Sequence, residues 1–218
     1  MVRIDPPPPR FPPHPLIHTV SIDTRLVRIF DPTLHGQTVL TFRTFGPLRR
    51  FDHHRGVQGA AAEDPERGIY YAAFTLEDSL VEVFGDTKVM EYGEKHIASP
   101  SVTRELHLLD LRGRGAMRAG SVAALSQNAD YGLSQSWSRY FYEHSDSYTS
   151  IDGIFYANAH NGGDAVALYE RAVSGLDCDE NFIMRLDSDD SDFRALLQFI
   201  GLRNHILVSP TLPSVSRR

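Results

Sequence analysis

Residues 68–84, Gly-Ile-Tyr-Tyr-Ala-Ala-Phe-Thr-Leu-Glu-Asp-Ser-Leu-Val-Glu-Val-Phe, constrain the fold more than any other stretch, because they read as a strand running straight into a helix. The strand half is β-branched, aromatic and small, and Gly68 precedes it. Thr75 starts the helix, and Asp78 three residues on resembles a capping box with Asp in the Glu/Gln place. Leu76, Leu80, Val83 and Phe84 recur at helical spacing and form one apolar stripe. Glu82 lies off that stripe. Taken alone, it reads as a solvated helix glutamate. Its company argues otherwise: Tyr71 on the strand before it, and arginines upstream on apolar backgrounds.

At 218 residues the chain can build one sizeable core. Its net charge of −6 argues against a sequence-independent nucleic-acid binder, which needs a basic face. A single cysteine, Cys178, excludes an intramolecular disulfide framework and suits a reducing cytoplasm. No apolar run is long enough for a membrane span, and the N-terminus lacks the apolar region of a secretory signal. Phosphate-loop, dinucleotide, zinc and nucleophile-elbow motifs are missing.

Along the chain, the prolines of residues 5–15 predict an extended arm, drawn here over residues 1–24. Residues 16–22 read either as a short strand or as the end of that arm. Arg25-Leu26-Val27-Arg28-Ile29-Phe30 alternates as a strand, with Arg28 on the face of Leu26 and Phe30. An arginine there needs a partner: a structural salt bridge, or an anion clamped by its planar fork. Residues 38–42 read as a further strand. The following loop gathers Arg49, Arg50, His53, His54 and Arg55 around a lone Asp52. Adjacent histidines without Cys or carboxylate at ligand spacing are a poor metal signal, so this loop reads as the lining of an anion pocket.

Residues 57–67 read as a surface insertion, 103–111 as a core strand, 116–125 as holding a short helix, and 133–144 as a helix with a core stripe of Trp137, Tyr140 and Phe141. Strands at residues 150–159 and 165–169 flank a Gly162-Gly163 turn. The acidic run of residues 177–192 lacks the Gly and Glu of a calcium loop and instead caps a helix over residues 193–200. Many short strands with few helices between them predict an α+β fold: one domain over residues 25–208, with a central mixed or antiparallel sheet flanked by helices. Residues 209–218 are expected to be a disordered tail.

The order of these features resembles the RES-domain family: NAD-degrading toxins of bacterial toxin–antitoxin pairs, distantly similar in fold to ADP-ribosyltransferases. Arg28 resembles the family's early-strand arginine, and Arg50 in Arg49-Arg50-Phe51-Asp52 its arginine–aromatic loop. Tyr71 in Tyr70-Tyr71-Ala72 resembles its strand tyrosine, and Glu82, eleven residues later, its helix glutamate. Gly153-Ile154-Phe155-Tyr156-Ala157-Asn158 resembles the late strand, with Asn158 where the family has serine. Asn158 can hold a ribose hydroxyl or a phosphate but cannot act as a nucleophile.

What the resemblance implies is cleavage of the nicotinamide–ribose bond of NAD. Glu82, Arg28 and Tyr71 would form the catalytic set, and Arg50, Arg49, His53 and Asn158 would bind substrate. NAD is then substrate, and neither cofactor nor metal is expected. The resemblance also implies a neighbouring-gene antitoxin with an Xre-type DNA-binding region, and a homodimer or a toxin–antitoxin assembly. No direct nucleic-acid or membrane partner is expected. Water, phosphate or a protein side chain remain open as acceptors. The rival readings are a mono-ADP-ribosyltransferase acting on a protein and a degenerate RES fold that binds a nucleotide or partner without turnover.

Overall fold

The computed structural model describes residues 2–34 and 36–209. Eleven elements carry the architecture: β1 (Ile17–Val20), β2 (Arg28–Phe30), β3 (Ile69–Ala73), α1 (Leu76–Phe84), β4 (His96–Ala98), β5 (Leu106–Asp110), α2 (Tyr131–Glu143), β6 (Gly153–Ala157), β7 (Asp164–Tyr169), β8 (Ile183–Arg185) and α3 (Ser191–Arg203). The central sheet has the order β1-β5-β6-β7-β3. Only β5 and β6 run parallel; the other neighbours are antiparallel. A second, three-stranded sheet joins β8, β4 and β2. The fold is therefore a mixed-sheet α+β domain.

Both faces of the central sheet are buried, and the strand alternation assigns each side chain to one of them. On one face, Ile69, Tyr71, Leu109, Ile154, Tyr156, Ala165, Ala167 and Tyr169 pack with Phe51 and with Trp137 and Phe141 of α2. On the other, Tyr70, Ala72, Leu106, Leu108, Phe155, Val166 and Leu168 pack with Leu26 and Leu176. A third cluster joins Leu80, Val81 and Phe84 of α1 to Leu197 and Ile200 of α3. Val83, placed on the apolar stripe by its spacing, is instead largely exposed.

The strand-to-helix switch follows its sequence signal. Thr75 has extended backbone, and its hydroxyl accepts from the Asp78 N–H at 3.0 Å. Asp190 caps α3 in the same way, accepting from the Asp192 and Phe193 N–H groups. Residues 16–22 resolve as strand, since β1 pairs with β5 at the sheet edge. The proline arm before it lies on the domain, where the Trp137 indole donates to the Asp5 carbonyl at 2.8 Å. Gly120, at φ +86°, lets the arm approach closely, since a Cβ there would lie 2.4 Å from Pro9.

Residues 38–42 form a turn rather than a strand. The reason is the competition for their carbonyls: Arg28 donates to Thr41 at 2.8 Å and to Val39 at 3.4 Å, and the Tyr70 hydroxyl donates to Val39 at 3.0 Å. These oxygens are taken by side chains instead of a ladder. The strand at residues 25–30 shortens to β2, with single bridges at Arg25 and Val27. The insertion at residues 57–67 holds a two-residue strand, Ala62–Glu63, paired with Phe45–Gly46. Residues 116–125 carry a short helix, Arg114–Arg118, and a 3-10 turn, Ala123–Gln127. Ser209, drawn into the tail, belongs to a strand, Leu207–Ser209, beside Val89–Glu91, and the rest of that tail lies outside the described residues. Among the described residues no helix is long and apolar enough to cross a membrane.

Thr75→Ala should lower unfolding stability by about 1 kcal/mol, and Thr75→Gly by only a few tenths, in urea titrations.

Candidate functional site

Glu82 sits on the face of α1 that meets the end of β6. Its Oε1 accepts a hydrogen bond from the Tyr156 hydroxyl at 3.1 Å. The carboxylate is half-buried, and burial pushes it above the ordinary glutamate range. The Tyr156 hydrogen bond and the electrostatic influence of His160, Arg50 and Arg49 pull it back only in part. Burial, reinforced by Glu82, keeps the Tyr156 phenol protonated and therefore a donor. Glu82 is thus a carboxylate with one oxygen fixed, in a partly desolvated place within the influence of Arg49 and Arg50.

The loop at residues 48–54 covers Tyr156, with the Phe51 ring 4.8 Å from the Tyr156 ring. Beneath it, Asp52 is fully buried and accepts four hydrogen bonds. They come from the Arg43 guanidinium at 2.6 Å, the Leu48 N–H at 2.5 Å, the Arg49 N–H at 2.9 Å and the Tyr71 hydroxyl at 2.9 Å. The Tyr71 oxygen in turn accepts from the Phe51 N–H at 3.0 Å. Burial, then the Asp52 charge, holds the Tyr71 phenol far above its ordinary range, so it too stays a donor. Above the loop, the Arg50 guanidinium donates to the Asn128 carbonyl and lies 4.9 Å from the Tyr131 ring centre. Arg49 is exposed beside it.

The structure therefore joins Glu82, Arg50, Arg49 and Tyr71 through Tyr156, Phe51 and Asp52. Arg28 lies elsewhere: its guanidinium stacks 4.3 Å from the ring of Tyr70, on the sheet face opposite Tyr71. Burial draws Arg28 below the usual arginine range, opposed by Tyr70. His53 is fully buried, and its Nε2 lies 3.0 Å from Glu170. Burial keeps His53 neutral. Burial also pushes Glu170 up, but the hydrogen bonds from His53 and Tyr142 outweigh that and leave it ionised. His53 thus donates into the interior, packed 4.3 Å from the Tyr169 ring.

Asn158 is also buried, and its amide builds the β6–β7 turn. Its Oδ1 accepts from the His160 and Asn161 N–H groups at 3.0 Å each, and its Nδ2 donates to Asn161 at 2.8 Å. That turn sets the His160 ring against the backbone of Gly85, where a Cβ would lie 2.4 Å from the ring.

Sequence reasoning missed Tyr156, Asp52, Arg43 and His160 as members of the site. Tyr156 had a usable signal, since alternation places it on the same face as Tyr71. Asp52 stood out as the lone acid in a cationic loop. Nothing local marks Arg43 or His160.

The family model for the RES domain matches residues 25–187. No curated protein matches the chain. Among solved structures, a chain in the crystal structure of the M. tuberculosis MbcT–MbcA toxin–antitoxin complex is similar, with a TM-score of 0.52 and 14% identity over 84% of this chain and 92% of that one. That likeness is one of fold.

Because the folded state raises the Glu82 pKa, the stability it contributes is complete when Glu82 is protonated, below its unfolded value. That stability is lost as pH rises through the folded value. Ionised Glu82 therefore costs stability at neutral pH. Glu82→Gln should unfold at higher urea than the parent at pH 7, and the difference should vanish at low pH. Tyr156→Phe removes the donor that favours the charged form, so the Glu82 carboxyl should titrate at a still higher pH, as followed by NMR.

Proposed function

Because the chain belongs to the RES-domain family, we propose that it is the toxin of a toxin–antitoxin pair and cleaves the nicotinamide–ribose bond of NAD. The observation that supports this reading is the Glu82 carboxylate, half-buried, tethered by Tyr156 and acted on by Arg49, Arg50 and His160.

As the C1′–N bond of NAD breaks, its electron pair goes to the nicotinamide nitrogen and neutralises the ring. The ribose becomes oxocarbenium-like, and a fixed carboxylate beside it stabilises that cation. Glu82 would do this in its ionised form. Its Oε1 is occupied by Tyr156, which leaves Oε2 to face the ribose or orient a 2′-hydroxyl. Arg50 and Arg49 would hold the diphosphate, for which a guanidinium fork is suited. The Tyr71 ring would pack against nicotinamide or its ribose, while its hydroxyl is committed to Asp52. Water or phosphate would add at C1′, with loss of one proton, giving ADP-ribose or its 1-phosphate.

Arg28 would act indirectly, by fixing the turn at residues 38–41. His53 and Asn158 would support the scaffold. The partner would be the antitoxin of the same pair, with an Xre-type DNA-binding region, and its binding would block the cleft.

Purified protein free of antitoxin should release nicotinamide from NAD, with phosphate, without it, or in both conditions. Glu82→Ala should lower kcat by about 100-fold or more, the scale of losing a preorganised electrostatic group. No release by folded protein in either condition would refute the activity, and full activity in Glu82→Ala would refute the site.

A further inference from the structure

We propose that Asp52 is the positioning residue of the site and fixes the anion-binding Arg49–Arg50 loop; this rests on the reading of those arginines given above. Asp52 is fully buried and leaves no surface for a ligand to touch. Its carboxylate gathers two consecutive N–H groups, Leu48 and Arg49, at the point where the loop turns. The same carboxylate binds two groups anchored on the central sheet. Tyr71 belongs to β3 itself. Arg43 exchanges two backbone hydrogen bonds with Ile69, at 2.9 and 3.0 Å, so its guanidinium starts from a fixed point on that strand.

Three further polar groups of the loop backbone are held by side chains in the same way. The Arg49 carbonyl accepts from Gln135 at 3.0 Å and the Phe51 carbonyl from Ser138 at 2.7 Å, both on α2. The Phe51 N–H goes to Tyr71. Side chains of β3 and α2 thus satisfy this backbone from both sides, and the buried Asp52 charge inside it has a counter-ion in Arg43. A loop that carries an exposed cation, Arg49, beside a partly exposed one, Arg50, gains affinity for an anion when its geometry is set before binding. Asp52 supplies that geometry without touching the ligand.

The test is calorimetric titration with ADP, the diphosphate-bearing half of the substrate, on the full chain. The variants are Arg50→Ala, Asp52→Asn and the double variant, with folding checked by near-UV circular dichroism. Asp52→Asn keeps the volume but replaces acceptors with an NH2 that opposes Arg43 and the loop N–H groups. Each single variant should weaken ADP binding by about tenfold or more, the scale of a charge-assisted hydrogen bond. The double variant should lose clearly less than the product of the two single losses, because Asp52 acts in part through Arg50 and in part through Arg49 on the same loop.

Unchanged affinity in folded Asp52→Asn, or losses that simply multiply in the double variant, would overturn the proposal. So would a parent protein that does not bind ADP. Where Asp52→Asn does not fold, Tyr71→Phe, which removes one of the four donors, takes its place in the same cycle. ADP binding without nicotinamide release from NAD would leave the positioning role standing and remove the NAD-cleavage reading instead.

Discussion

A carboxylate without access to water is tolerable only when donors surround it, and Asp52 meets that condition with four. Much of the site depends on this one group. It binds β3 through Tyr71 and Arg43, and it shapes the loop whose Phe51 covers Tyr156. Tyr156 then orients Glu82. The catalytic candidate on α1 and the cationic loop thus belong to one continuous set of contacts, although about thirty residues separate Asp52 from Glu82 in the chain. Charge is distributed accordingly. Asp52 and Glu82 each accept from a phenol, Tyr71 and Tyr156, that burial keeps protonated.

The central sheet separates two kinds of arginine. Arg28 spends its donors on carbonyls of its own chain and its flat face on Tyr70. Arg49 is exposed where the loop leaves the core, and Arg50 beside it stays partly exposed while its guanidinium reaches the Asn128 carbonyl and the Tyr131 ring. A guanidinium buried in the fold with its donors and flat face both taken serves as a brace, whereas one that keeps solvent-facing surface can meet an incoming anion. The two tyrosines of β3 follow the same division, because successive strand residues face opposite ways. Tyr70 is a support for Arg28, and Tyr71 joins the Asp52 network of the candidate site.

The strand–helix unit at residues 68–84 was legible because its signals are local: β-branched, aromatic and small residues after a glycine, a capping threonine and a helical stripe. The β6–β7 hairpin was legible for the same reason. Residues 38–42 were misread as a strand because the acceptors that matter are claimed by the single side chain of Arg28, eleven and thirteen residues before them, and by Tyr70 far beyond them. His53 looked like a pocket residue because its neighbours are cationic. Its real partners, Glu170, Tyr142 and Tyr169, come from much later in the chain. Asn158 drew attention as a departure from the family's serine, and its part in a turn could be seen only once the turn existed. Side chains whose roles are set within a few residues could be read from sequence. Those set by contacts across the sheet could not.

The strand order has a consequence for how the molecule reaches its native state. In the five-stranded sheet, β6 and β7 alone are joined by a short turn. The outer strands β1 and β3 pair with β5 and β7, segments drawn from far along the chain. Long loops must close before those pairings are rewarded, so the hairpin is the natural early structure and the edges join late. During synthesis, β1 and β3 leave the ribosome long before their partners exist. The Glu82 helix, directly attached to β3, must therefore wait for the second half of the chain, and a partly made chain has no assembled site.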